Sequence, residues 1–273
     1  MVKKLFKHEF KAYGLWILLL YAAMPITAII LKVVYFFTYQ SNLIPEASSD
    51  AENIWIDMLT VSSLILYIGA VGIVFTLVFV LPLVRYYKNM LTSEGYLTLS
   101  IPVTPSAHIL CKTLVAYIYQ IGAVCSFALS ILIIIIGEDA IELYEAFKGG
   151  FNDVFTQIFD EQPVVVLDII LLLITAVISP IASILHYYFC LSSGMLYGKH
   201  KLIGALITNI IINMISSVLT GIIQFVLMPV FIFGSEPVLF LTIISFGSLL
   251  GLIGISAIFF YATVYLFTHK VNL

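Results

Sequence analysis

Five polar side chains, Asn209, Asn213, Ser216, Thr220 and Gln224, recur at intervals of four, three, four and four residues inside an otherwise apolar run. Helical geometry puts all of them on one stripe. Amides and hydroxyls can hydrogen-bond to each other, to a passing solute or to water, but they do not by themselves activate a nucleophile. Facing lipid, such a stripe is unfavourable, so it must face protein or water. Two readings stay open: hydrogen bonding between helices, worth about 0.6 kcal/mol per contact, or the lining of a translocation pathway.

Groups for covalent chemistry are sparse. His186 and Asp168 share one apolar run but stand roughly 27 Å apart along a helix, too far to form one site within it. His186 reads as a packed or interfacial histidine and Asp168 as part of a polar rim. Neither H-E-x-x-H nor G-x-S-x-G occurs. The nearest approach to the phosphate-cradling loop G-x-x-x-x-G-K-[ST] runs from Gly194 through Gly198 and Lys199 to His200. It is one residue short and lacks the hydroxyl that would bind magnesium. Cys111, Cys125 and Cys190 are odd in number and lack metal-ligand spacing, so they read as packing residues. The expectation is a chain with no catalytic residue, no metal site and no cofactor of its own.

The elements that must position the stripe are set by hydropathy. The chain has 273 residues, 62% hydrophobic and 10% charged, which leaves too little polar surface for a soluble globule of that size. Apolar runs predict six membrane spans at about residues 14–39, 58–84, 106–137, 163–191, 202–233 and 237–267. Each is long enough to cross a hydrocarbon core ~30 Å thick at 1.5 Å per residue. The first run is too long for a secretory h-region and no small-residue cleavage site follows it, so it reads as a retained anchor. In the sixth, Gly247, Gly251 and Gly254 form a small-residue face suited to close helix packing. The expected fold is an all-α membrane protein forming a single domain over residues 1–273, with an N-terminal interfacial amphipathic helix and short extracellular helices between spans three and four.

Lysine and arginine sort into alternate gaps. Lys3, Lys4, Lys7 and Lys11 precede the first span, Arg85 and Lys88 follow the second, Lys199 and Lys201 follow the fourth, and Lys270 follows the sixth. Cytoplasmic gaps retain such residues, which predicts a multi-pass protein of the cell membrane with both termini cytoplasmic. Lys32 and Lys112 lie near span ends, where long side chains are expected to snorkel. No nucleic-acid partner is expected.

Three gaps carry further pattern. In residues 1–13, Phe6, Phe10 and Tyr13 take one helical face and Lys4, Lys7 and Lys11 another, which fits either an interfacial helix or a plain topogenic lysine cluster. Residues 138–162 hold seven acids and one lysine, with Ile141, Tyr144 and Phe147 before Gly149-Gly150 and Phe151, Val154, Phe155, Ile158 and Phe159 after. That spacing predicts two short external helices hinged at the glycines, whose acids either attract cationic cargo or simply solvate an outer rim. Residues 85–105 read as a short structured segment at the membrane face, turned at Thr92-Ser93-Glu94-Gly95 and led into the next span by Pro102 and Pro105.

This last segment, YYKNMLTSEGYLTLSIPV, resembles the cytoplasmic segment between spans two and three of ABC-2-type permeases, the membrane subunits of a class of ATP-driven exporters. The residues that match are Glu94, Gly95, Leu97, Leu99, Pro102, Val103 and Lys112. The pattern is most similar to a group from low-GC Gram-positive bacteria, and YYFCLSSGMLYGKHKLIG resembles that group's connector between spans four and five. Members of the class often carry re-entrant outer helices between spans five and six, whereas here that gap is only about residues 233–237.

The resemblance implies a permease that docks a separate ABC ATPase subunit, which binds ATP and magnesium, through Lys88, Asn89, Glu94, Gly95, Tyr96 and Pro102. It also implies pairing with a second permease, identical or related, within the lipid bilayer. Export of a peptide, a drug-like amphiphile or a lipid-linked molecule follows from the same likeness, along a pathway that the stripe from Asn209 to Gln224 would line. Two other classes compete: an ATPase-independent scaffold or immunity protein, and an intramembrane enzyme without a familiar motif.

Overall fold

A computed structural model of the chain describes residues 2–42, 50–92, 94–95, 103–136, 163–233 and 237–269. Among them the structure is all-helical, with no strand. The helices are α1 (Val2–Asn42), α2 (Asp50–Leu91), α3 (Pro105–Ile135), α4 (Pro163–Gly194), α5 (Lys201–Phe233) and α6 (Pro237–His269), with a 3-10 turn at Met195–His200 between α4 and α5. Each of the six helices is long and apolar enough to cross a membrane. Their outer faces are apolar as well: Trp16, Leu172 and Phe225 are 66%, 66% and 78% exposed. A water-soluble monomer does not present so much continuous apolar surface.

The helix starts follow local chemistry. α3, α4 and α6 each begin on a proline, whose fixed φ and missing N–H suit the first helical position. Ahead of α3 the carbonyl of Thr104 accepts from the N–H groups of Ala107 and His108, at 3.0 and 3.2 Å. Pro25, Pro82 and Pro180 lie inside helices, a placement that long apolar helices tolerate when neighbours satisfy the freed carbonyls.

Between α4 and α5 the chain reverses at Gly198, the one residue with positive φ among those described (φ 61, ψ −113). Gly194 is required for a different reason. A Cβ there would strike the carbonyl oxygen of Lys201 and come within 2.9 Å of the Ala205 nitrogen. These two glycines serve a helical hairpin. A phosphate-cradling loop instead joins a strand to a helix, so the partial match at Gly194 to His200 is a structural connector.

The described residues divide into two compact units, with α2 and α3 each contributing to both. One comprises the described parts of Lys3–Pro82 and Val115–Gly149. Its core is Ile17 and Met24 of α1, Val74 and Val78 of α2, and Val115, Tyr119 and Ala123 of α3. Hydroxyls tie the helices across this core. Tyr119 donates to the Phe10 carbonyl, Tyr21 to the Tyr119 carbonyl, and Ser126 to the Tyr21 carbonyl at 2.6 Å. Tyr67 and Ser130 pair at 2.8 Å. Lys32 extends its ammonium to the carbonyls of Ile133, at 2.9 Å, and Ile136, capping the C-terminal end of α3.

Two expectations change here. The interfacial helix over residues 1–13 is not a separate element, because α1 runs unbroken from Val2 through Gly14 to Asn42. A single glycine costs a helix only about 1 kcal/mol. The inward face of Phe6 and Tyr13 also continues in register into Ile17 and Met24. Lys112, expected to snorkel, is instead buried. The external helices expected at 138–162 lie outside the described residues.

The second unit comprises the described parts of Leu83–Leu114 and Gly150–Leu273. Its centre is an aromatic knot. The rings of Tyr86 on α2 and Tyr188 on α4 stack at 3.9 Å and 9°, and Phe267 of α6 meets Tyr86 edge-on at 6.3 Å. The Tyr86 hydroxyl pairs with Ser192 at 2.7 Å, and Ser192 donates to the Tyr188 carbonyl at 2.7 Å.

Candidate functional site

α5 is bare over much of its described length. From Asn213 through Val226 every residue is exposed on every side, so the helix stands with its apolar and polar faces alike bare of other described parts of the chain. Asn209 and Ile212 are half-buried. The polar stripe is bonded along itself. Asn213 Nδ2 donates to Asn209 Oδ1 at 3.1 Å, Ser216 to the Asn213 carbonyl at 3.1 Å, and Thr220 to the Ser216 carbonyl at 2.8 Å. The structure thus brings Asn209, Asn213, Ser216, Thr220 and Gln224 onto one exposed track, and gives them no partner helix among the described residues. Among the described residues, hydrogen bonding between helices does not account for the track.

The small-residue face of α6 shares this property. A Cβ added at Gly247, Gly251 or Gly254 would meet nothing within 4 Å. Close packing at these glycines is therefore not satisfied by the described part of this chain.

Of the segment expected to dock an ATPase, the described residues are at its start. Lys88 and Glu94 are exposed, Asn89 is half-buried and Gly95 is buried. Tyr96 and Pro102 lie outside the described residues. The turn is closed by the Gly95 N–H donating to the Thr92 carbonyl at 2.9 Å, and Thr92 Oγ1 donates back to the Lys88 carbonyl. Behind it Met90 and Leu91 are fully buried and anchor the segment to the helical body. Lys201, the first residue of α5, donates its ammonium to the Leu91 carbonyl at 3.3 Å. The last carbonyls of a helix have no intrahelical donor and carry the negative end of its dipole, so a lysine is a natural partner there. This bond joins the turn after α2 to the helix that carries the stripe, and nothing in the sequence marks it. A lysine opening span five is by itself indistinguishable from a topogenic charge.

His186 and Asp168 stand apart. The His186 ring stacks on Phe259 of α6 at 5.1 Å, with Nε2 buried and without a hydrogen-bond partner. Asp168 accepts from Thr242 of α6 at 3.3 Å. Cys111 and Cys190 are buried and Cys125 is exposed, and none of the three is in a disulfide. Among the described residues no three His, Cys, Asp or Glu side chains gather as a metal site would need.

Lys4, Lys7, His8 and Lys11 line a shallow basic groove of about 410 Å³ along α1. Opposite it, Phe6 and Tyr13 pack inward and Phe10 stacks on Tyr119 at 5.4 Å.

The fold and these faces define an all-helical protein of the multi-pass membrane class. No protein-family model matches the chain, and no curated protein or solved structure does.

Proposed function

We propose that the chain is the membrane subunit of an ATP-driven exporter of the ABC-2 type, working as a pair of permeases with two ATPase subunits. The observation that carries this reading is the bare polar track on α5. Of its three amides and two hydroxyls, all but the half-buried Asn209 are exposed, and from Asn213 to Val226 both flanks of the helix lack cover from the described chain. In a bilayer that track needs protein or water against it. A seam between two permeases, hydrated along the track, supplies both. The exposed glycine face of α6 offers a second surface for close approach of another helix.

Orientation follows from the lysine asymmetry, with both termini and the segment at residues 85–105 in the cytoplasm. There Lys88, Asn89, Glu94, Gly95, Tyr96 and Pro102 contact the ATPase, and the Lys201–Leu91 bond passes its movement to α5. ATP and magnesium belong to the partner. Substrate is a peptide, a drug-like amphiphile or a lipid-linked molecule.

Purification of the chain from its own cells in a mild detergent tests this. A stoichiometric partner carrying a Walker A loop is expected. A chain that purifies without any ATPase contradicts it.

A further inference from the structure

At the start of α1 a basic face stands outside the proposed transport cycle. Lys4, Lys7, His8 and Lys11, with Ala12, wall an open groove of about 410 Å³. Their spacing keeps the four basic side chains within about 100° of one another round the helix, and all four are exposed. Among the described residues no carboxylate lines the groove. Glu9, the nearest acid in sequence, is buried about 150° round the helix from the centre of this face. Three ammonium groups held side by side repel one another and favour an anion between them.

Further along α1 the same face turns apolar. Leu15, Leu18, Ala22 and Ile26 follow Lys11 at intervals of four, three, four and four, which continues the line of Lys4, His8 and Lys11. Leu15, Leu18 and Ile26 are 73%, 66% and 55% exposed. Leu15 and Ile26 are about 16 Å apart along the helix, roughly half of a hydrocarbon core ~30 Å thick. At 41 residues α1 is longer than a span requires. Its lysine-bearing turns are costly to bury in hydrocarbon, so they stand at headgroup depth while the leucines enter the core.

We propose that this face binds an anionic bilayer phospholipid, the phosphate accepting from Lys4, Lys7 and Lys11 and one acyl chain lying along Leu15, Leu18 and Ile26. The apolar line favours a lipid over a free anion, which would use the lysines alone. Charge favours an anionic lipid over a zwitterionic one, whose own cation would sit among the lysines. A basic cluster beside a membrane span attracts anionic lipid by about five-fold per lysine. The inference stands on α1 alone and requires neither an ATPase partner nor one orientation of the chain.

The test uses the full chain in phosphatidylcholine nanodiscs and a phosphatidylglycerol probe with a photoreactive acyl chain, labelled residues being mapped by mass spectrometry. Labelling is expected to concentrate between Leu15 and Ile26. Unlabelled phosphatidylglycerol should compete about ten-fold better than phosphatidylethanolamine, and glycerol 3-phosphate in solution should not compete. Lys4→Gln, Lys7→Gln and Lys11→Gln together should lower labelling about a hundred-fold, and arginine at the same three positions should retain it. Lys3→Gln, which lies outside the groove, should change it far less. Labelling spread evenly over all six helices, equal competition by phosphatidylethanolamine, or undiminished labelling in the triple variant overturns the site. Competition by glycerol 3-phosphate or by a soluble acidic peptide as strong as that of phosphatidylglycerol would assign the groove to a free anion or a protein segment, and overturns it equally. Should the triple variant insert wrongly, Ala12→Glu puts an acid in the groove and keeps every orienting lysine. It must cut labelling about five-fold, and failure to do so overturns the proposal.

Discussion

The ammonium of Lys201 caps the carbonyl of Leu91 at 3.3 Å, so the first residue of α5 holds the last residue of α2. A bond between a charged donor and a helix terminus contributes typically 0.3–1 kcal/mol when exposed and up to about 2 kcal/mol when partly buried. Its position gives it a second consequence, since it lies between the segment proposed to dock the ATPase and the polar track. Lys201→Met should lower unfolding stability by about 1 kcal/mol. In the reconstituted transporter the ATPase should still bind and hydrolyse ATP, with less substrate moved per ATP. Lys201→Arg should restore transport. Normal coupling in Lys201→Met, alongside the stability loss, would reduce the lysine to a helix cap.

Glu94 is exposed at the turn beyond that bond. An acid so placed can pair with basic groups on a docked ATPase. Glu94→Lys should leave the chain in the membrane and weaken ATPase association or uncouple hydrolysis from transport. Unchanged affinity together with unchanged coupling would remove the docking role from Glu94.

The aromatic knot separates folding from function. Tyr86→Phe removes the 2.7 Å bond to Ser192 but keeps the stack on Tyr188, and should cost about 1 kcal/mol. Tyr86→Ala loses the stack as well, and by analogy with other buried aromatic truncations should cost about 3–5 kcal/mol. Thermal unfolding of the purified chain in detergent reads both. Equal losses in the two variants would mean that the hydroxyl, and not the ring, carries the interaction.

Glycine substitutions distinguish contacts within one chain from contacts with another. Gly194→Ala forces a Cβ against Lys201 and Ala205 and should destabilise the isolated chain. Gly251→Leu meets open space and should not destabilise the isolated chain. If the α6 face packs on a second permease, the same change should shift the assembled complex toward single chains on size-exclusion chromatography. A complex unaltered by Gly251→Leu would show that this face touches lipid.

The six helices were legible because span length is a local property of the sequence. The runs expected at residues 163–191 and 202–233 appear as Pro163–Gly194 and Lys201–Phe233. The track on α5 was legible for a similar reason, since spacing alone puts Asn209, Asn213 and Thr220 on one face. Break points inside helices were harder to see. The polar start of α1 reads as a separate surface helix, yet the face bearing Phe6 and Tyr13 continues into Ile17 and no strong breaker intervenes. Pairings between distant segments left no trace: Tyr86 with Tyr188, or Lys201 with Leu91, are separated by about a hundred residues, and nothing local marks which tyrosine or lysine finds which partner.

Topology has its own test in intact cells. A cysteine at Lys201 should be protected from an impermeant external reagent, and one at Asn152, which lies outside the described residues, should react. The reverse pattern would invert the orientation and remove the docking segment from the cytoplasm.

The central claim is that the α5 track lines a hydrated seam between two permeases. It is tested most directly by single cysteines at Asn213 and Ile215 in the reconstituted transporter, labelled with a water-soluble maleimide with and without nucleotide. Two residues are about 200° of helix, so Ile215 faces the opposite side of α5 and serves as the lipid-facing control. The expected result is rapid labelling at Asn213 that changes with nucleotide state, and little at Ile215. No labelling at Asn213 in any nucleotide state would contradict the claim.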